Sequence, residues 1–170
     1  MKTNINTKKA FTLIEVLLYM SLTSVLVLMI AMLWVTASDT RDRGEAMSIV
    51  SSEATSIISK LTQTIRNASA VNTPTIGNSG STLSLVMASA ANSPTGIALS
   101  GGNITITEGS NPANTLNSNR VTISSLTFRN VTENFAVGSV RIEITVTYIN
   151  TTGKPALDYS QTFYATATLR

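Results

Sequence analysis

Few residues in this chain are equipped for chemistry. None of its 170 residues is histidine and none is cysteine. That removes the usual general base, the imidazole metal ligand, the Ser-His pair, thiolate metal sites and disulfides together. Serines are plentiful but have no base to activate them. Beyond Glu53 the acids are Glu108, Glu133, Glu143 and Asp158, well separated and outside any calcium-loop spacing. No catalytic residue, metal site or cofactor is expected, and the chain does not read as an enzyme. The residue out of place is Glu15, within KKAFTLIEVLLYM, Lys8 to Met20. It is the only charge between Phe11 and Ala37. The chemistry open to it is ionic. A lone carboxylate in an apolar phase is costly, and a close cation offsets much of that cost.

The element that must position Glu15 is the apolar run itself. Phe11 to Ala37 is longer than the ~20 residues that a helix needs to cross a bilayer core. Lys8 and Lys9 flank it on one side; on the other come Asp39, Arg41, Asp42, Arg43 and Glu45, whose charges nearly cancel. The excess of lysine before the run places the N-terminus in the cytoplasm and the rest of the chain outside, as a single pass of the inner or cytoplasmic membrane. Two plainer readings compete. One is a secretory signal ending at Val35-Thr36-Ala37, although such cores usually run to only about 7–15 residues. The other is a plain one-span anchor of a surface or binding domain that never polymerises. In that case Glu15, about 6 Å along the helix from Phe11, simply points back to the headgroups.

Past the membrane the apolar spacing stays helical. Met47, Val50, Ala54, Ile57, Leu61, Ile65 and Ala68 step by three or four residues and define one face of an amphipathic helix. Gly44 is a weak point ahead of it. The helix is expected to end near residues 67–72. Pro74, Gly77 and Gly80 then mark a turn-rich crossing, after which the apolar period changes to two. Leu83, Leu85 and Met87 alternate, and Gly101-Gly102 separates two short strands as a hairpin. Residues 108–119 read as an exposed loop. Three longer strands follow: Val121 to Val131, Val140 to Ile149 and Leu157 to Leu169. The expected fold class is α+β, a long N-terminal helix packed on an antiparallel β-sheet.

Only 12% of residues are charged, about half the usual share. The remainder is rich in Ser, Thr, Asn and Gly, which suits an extracytoplasmic β domain. The net charge is +3, without the basic stripe that nucleic-acid binding requires. Four Asn-x-Ser/Thr triplets, at Asn67, Asn103, Asn130 and Asn150, match the glycosylation sequon. In a chain of this composition they are expected to arise by chance.

KKAFTLIEVLLYM resembles the N-terminal signature of type IV prepilins and type II secretion pseudopilins. That pattern is a short basic leader, a small residue, a Phe-Thr-Leu-[Ile/Val]-Glu core and a long apolar helix. The resemblance implies cleavage by a prepilin peptidase between Ala10 and Phe11, and N-methylation of Phe11. It also implies that Glu15 pairs with the α-amine of a neighbouring subunit during assembly. Ala10 departs from the glycine usual before the cut. The layout of ISSLTFRNV, Ile123 to Val131, followed by SVRIEITVTY, Ser139 to Tyr148, is similar to J-type minor pseudopilins and their pilus relatives. The implied organisation is a leader at 1–10, a transmembrane and assembly helix at 11–37, an amphipathic helix at 38–70 and an extracytoplasmic β domain at 71–170. The implied role is a structural subunit, a minor pilin or pseudopilin, of a type IV pilus or type II secretion-like filament. Its partners would be the peptidase, other pilin subunits, the inner-membrane assembly platform and the lipid bilayer.

Overall fold

The computed structural model describes residues 12–133 and 137–170. The leader, Lys8, Lys9, Ala10 and Phe11 lie outside the described residues. One long helix is followed by antiparallel β-sheets, an α+β arrangement. The chain divides into two compact units, Met1–Arg41 and Asp42–Arg170, and helix α1, Leu13–Arg66, contributes to both.

In the second unit α1 forms one wall of the core. Ala46, Val50, Ala54, Ile57, Leu61 and Ile65 are fully buried. The expected stripe is present on the helix from Val50 to Ile65 and fails at its two ends: Met47 is 50% exposed while Ala46 is 0% exposed, and Ala68, though buried, belongs to the strand that follows the helix. Four-residue steps advance about 40° beyond a full helical turn. Stepping back through Ala54 and Val50, the buried line therefore drifts onto Ala46. Gly44 is helical. The helix stops at Arg66, just short of the expected 67–72, and Ala68–Thr73 already forms strand β1.

The β part forms two sheets where one was expected. The first has the order β1-β3-β4-β5-β6, with β3 Thr82–Met87, β4 Thr95–Ser100, β5 Asn103–Glu108 and β6 Asn114–Thr115. The second has the order β2-β7-β8-β9, with β2 Ser79–Gly80, β7 Val121–Asn130, β8 Ser139–Tyr148 and β9 Ser160–Thr168. Every strand pairing is antiparallel. The β4–β5 hairpin turns through Gly101 and Gly102, at φ +57 and +77. Two consecutive positive φ values define the tight turn that glycine makes without strain. Its tip fastens one sheet to the other, because Ile123 N–H donates to the Gly102 carbonyl at 2.9 Å.

Alternation sets the faces. In β8, Val140, Ile142, Ile144 and Val146 are buried, while Arg141, Glu143, Thr145 and Thr147 lie on the wetter side. β7 needs a correction midway to keep its apolar residues inside. Its buried positions are Val121 and Ile123, then Leu126, Phe128 and Asn130. The switch of parity is made by a bulge at Ser124, where the register passes from Ile123↔Val146 to Ser125↔Thr145. One contiguous core joins Val50, Ile57, Leu61 and Ile65 of α1 to Leu85 and Ile104 of the first sheet and Phe128, Ile142 and Ile144 of the second.

Two loop expectations need correcting. Residues 108–119 are not simply an exposed loop. They include β6, and Asn117 is buried at 8% exposure. Its Oδ1 accepts from Ile104 N–H at 2.9 Å, and its Nδ2 donates to Asn103 Oδ1 at 2.9 Å and to the Val121 carbonyl at 3.3 Å. A buried polar side chain tolerates its site only when so bonded, and hydropathy does not reveal it. Leu157, expected to open the last strand, instead closes a single 3-10 turn, Pro155–Leu157. Proline has no N–H to give a ladder, and its fixed φ suits the first turn of a helix.

Leu61→Ala in the full chain should lower stability by about 2–5 kcal/mol, and Met47→Ala by less than about 0.5 kcal/mol. Denaturant melts of the detergent-solubilised protein, followed by β-sheet circular dichroism, would check this. Equal losses at the two positions would contradict the buried line drawn here.

Candidate functional site

From Leu13 on, the first unit is one helical rod with an apolar surface. From Leu13 to Val35 its large apolar side chains are exposed, from 79% at Leu13 to 45% at Val16. The helix is long and apolar enough to cross a membrane, and its most apolar window has no buried residue. Among the described residues nothing covers this surface, so lipid or other apolar helices are its natural solvent. Three hydroxyls along it are turned onto the helix backbone. Ser21 donates to the Leu18 carbonyl at 2.8 Å, Thr23 to that of Tyr19 at 2.8 Å and Thr36 to that of Met32 at 3.0 Å. This satisfies hydroxyl donors that hydrocarbon cannot.

Glu15 lies in the first turn of α1. The Thr12 carbonyl accepts from the N–H groups of Glu15 at 3.1 Å and Val16 at 3.3 Å, which starts the hydrogen-bonded spiral. A carboxylate here faces the positive end of the helix dipole. Glu15 is partly covered, whereas Leu13, Ile14 and Val16 around it are exposed. Part of that setting is Tyr19, one turn on, whose hydroxyl donates to Glu15 Oε1 at 3.5 Å. Neither of the two salt bridges among the described residues involves Glu15. Among the described residues the carboxylate's one hydrogen bond is long, which leaves it strong acceptor capacity toward them. Lys8, Lys9, Ala10 and Phe11 lie outside the described residues.

Tyr19 is the neighbour that sequence reading missed. The Glu-x-x-x-Tyr spacing was its signal, since residues four apart meet on a helix surface. The charges just beyond the apolar run are also placed differently from a plain screening cluster. Within the second unit, Asp42 Oδ2 accepts from Lys154 Nζ at 2.8 Å, and Glu45 Oε1 lies 3.8 Å from Arg120 Nη2. They tie the start of the helix's second half to the loops on either side of β7 and β8.

Other candidate chemistry has a structural explanation. Asn130, in one of the sequons, is buried at 2% exposure. Its Nδ2 donates to the Pro74 carbonyl at 2.9 Å, and its Oδ1 accepts from Thr132 N–H at 3.1 Å. Both ends of that amide are occupied. Among the described residues no group of three His, Cys, Asp or Glu side chains comes together as a metal site.

A family model described as the prokaryotic N-terminal methylation motif matches residues 5–31. The chain carries a type IV pilin-like prepilin signature. This signature covers Lys8, Lys9, Ala10, Phe11 and Glu15, and most of the apolar run. It implies processing by a prepilin peptidase, in keeping with a structural rather than an enzymatic chain. Together with the exposed apolar rod, the prepilin signature points to membrane anchoring. No curated protein and no solved structure matches the chain.

The chain has a single tryptophan, Trp34, 76% exposed near the far end of the rod. From Leu13 to Trp34 the helix rises roughly 30 Å, the thickness of a hydrocarbon core. In phospholipid vesicles, Trp34 emission should be blue-shifted and quenched best by lipids brominated near the headgroup. Full quenching by aqueous iodide, with no effect of brominated lipid, would place this end of the helix outside the membrane.

Proposed function

We propose that this chain is a minor pilin or pseudopilin, a structural subunit of a type IV pilus or type II secretion-like filament. It inserts with residues 1–10 on the cytoplasmic side, helix 11–37 in the membrane, and the amphipathic helix and β domain outside. Prepilin peptidase cuts between Ala10 and Phe11, guided by Lys8 and Lys9 in the leader, and methylates Phe11. Cleavage creates a cation at the edge of the apolar phase. During assembly the Glu15 carboxylate of one subunit meets the Phe11 ammonium of another.

The observation that carries this reading is the state of Glu15. It is a carboxylate on an otherwise uncharged, uncovered apolar helix, with only a long hydrogen bond from Tyr19 among the described residues. Two charges apart in that setting are each poorly solvated, and together they compensate one another. The same pairing fixes the stagger between helices, since a shift of one turn, about 5.4 Å, separates them. Work on the filament would come from its assembly machinery.

Mass spectrometry of membrane-extracted protein should show a mature chain beginning at Phe11 and carrying one added methyl group. Glu15→Ala should leave insertion and cleavage intact. It strands a cation in the interface, a defect of about 3–5 kcal/mol, so incorporation into filaments should fall by more than about a hundredfold. A chain that keeps Met1 in peptidase-positive cells would contradict the processing. Normal incorporation of Glu15→Ala would contradict the docking role and favour a plain membrane anchor.

A further inference from the structure

The two sheets present four edges: β1 and β6 on one, β2 and β9 on the other. An open edge is a row of unpaired N–H and C=O groups that can template another strand. Proteins guard such edges with short strands, bulges, charges or proline. Three of the four are guarded. β2 and β6 are two residues long, and β1 has register shifts at two places. β9 has none of these devices. It is nine residues long, SQTFYATAT, without a charge, proline or glycine. Its ladder to β8 runs without a register shift.

The orientation of its backbone follows from the flanking bonds. Tyr148 N–H donates to the Tyr159 carbonyl at 2.9 Å, and Leu169 N–H to the Gly138 carbonyl at 2.8 Å. Odd-numbered residues of this strand therefore bond to β8. In an antiparallel ladder the alternate residues turn their N–H and C=O the other way. Ser160, Thr162, Tyr164, Thr166 and Thr168 direct theirs to the open side.

We propose that β9 is an interface on which a second copy of this chain adds its own β9, antiparallel, about a two-fold axis at Tyr164. Three features select this occupant. Centring the pair on Tyr164 sets Thr162 opposite Thr166 and Ser160 opposite Thr168, so outward-bonding residues meet outward-bonding residues. In the same register exposed Asp158 comes opposite exposed Arg170 at both ends. Unlike charges meet twice, and a symmetric slip of two residues separates both pairs. Finally, the wet face already has rows of paired hydroxyls running toward the edge. Ser124 and Thr147 are 2.6 Å apart, Thr147 and Ser160 2.9 Å, Thr145 and Thr162 2.9 Å, and Ser139 and Thr168 3.2 Å. With a second copy in place, Ser160 of one faces Thr168 of the other and the rows continue across the joint. On the inner face, half-buried Phe163 comes opposite half-buried Ala165.

Such a pair is isologous, and its two-fold axis reverses every direction in the plane of the sheet. It therefore joins domains of opposite polarity, not successive subunits of one polar fibre. It does not depend on the docking role of Glu15.

The absence of cysteine makes the register directly readable. Hydrogen-bonded antiparallel partners have Cα atoms about 5.5 Å apart, within the span of a disulfide. Tyr164→Cys in the full chain, in detergent micelles under mild oxidation, should form a covalent dimer. Thr166→Cys alone should form roughly tenfold less, because its own copy lies four residues away along the strand. Mixing Thr162→Cys with Thr166→Cys protein should restore the link. Tyr164→Pro removes an outward N–H together with the exposed ring under the Arg141 guanidinium, and no bond of the β8–β9 ladder, so it should leave β-sheet circular dichroism unchanged and abolish that mixed link, whereas Tyr164→Ala, which loses the ring alone, should keep it. The proposal is overturned if Tyr164→Cys stays monomeric or if Thr166→Cys links to itself equally well. It is also overturned if, in cell envelopes, Tyr164→Cys is captured only by a different protein.

Discussion

A charge that leaves water needs a partner, and that constraint organises this molecule. The N-terminal rod exposes Leu, Val, Ile and Met along most of its length and holds the hydroxyls of Ser21, Thr23 and Thr36 on its own carbonyls. Within it one group, the Glu15 carboxylate, is left with acceptor capacity that the described residues do not fill. The helix dipole and the Tyr19 hydroxyl ease its burden without supplying a cation. A group in that state stores a preference for whatever positive charge arrives at the right height. In a prepilin-type chain, the cleavage reaction can itself manufacture that charge.

The second unit applies the same rule to uncharged polar groups. Asn117 and Asn130 are buried only because each spends both ends of its amide on backbone or side-chain partners. Among the described residues no buried side-chain polar atom lacks a hydrogen bond. Helix α1 supplies an apolar stripe that neither sheet could complete alone, and both sheets close over it. The bulge at Ser124 shows how strongly the core dictates local geometry. The strand gives up one regular pairing so that Leu126 and Phe128 follow Ile123 onto the same face.

Much of this was legible in the sequence where a period was long and regular. The helical stripe from Val50 to Ile65 and the alternation of Val140, Ile142, Ile144 and Val146 state their burial directly. Gly101-Gly102 announces its turn. The features that escaped depend on non-local partners. Asn117 looks like a loop residue until Ile104 and Val121 are brought beside it. Ala46 and Met47 flank the stripe almost equally, and only the packed core selects the alanine. Division into two sheets turns on weak strands such as Ser79–Gly80, which have little pattern of their own. Glu15 was conspicuous because its charge contradicts its surroundings. Tyr19 was not, because tyrosine in an apolar run raises no contradiction. The open edge of β9 is a property of strand order, which the sequence does not display.

The most direct measurement is a distance between two atoms in assembled fibres. Fibres grown from an equal mixture of chains, half labelled with 15N at the Phe11 amine and half with 13C at the Glu15 carboxyl, isolate contacts between copies. Solid-state NMR dipolar recoupling should report an intermolecular separation of about 4 Å, the span of a close ion pair. Coupling at background level, with the Glu15 carbon dephased only by lipid or water protons, would contradict the pairing of the two charges.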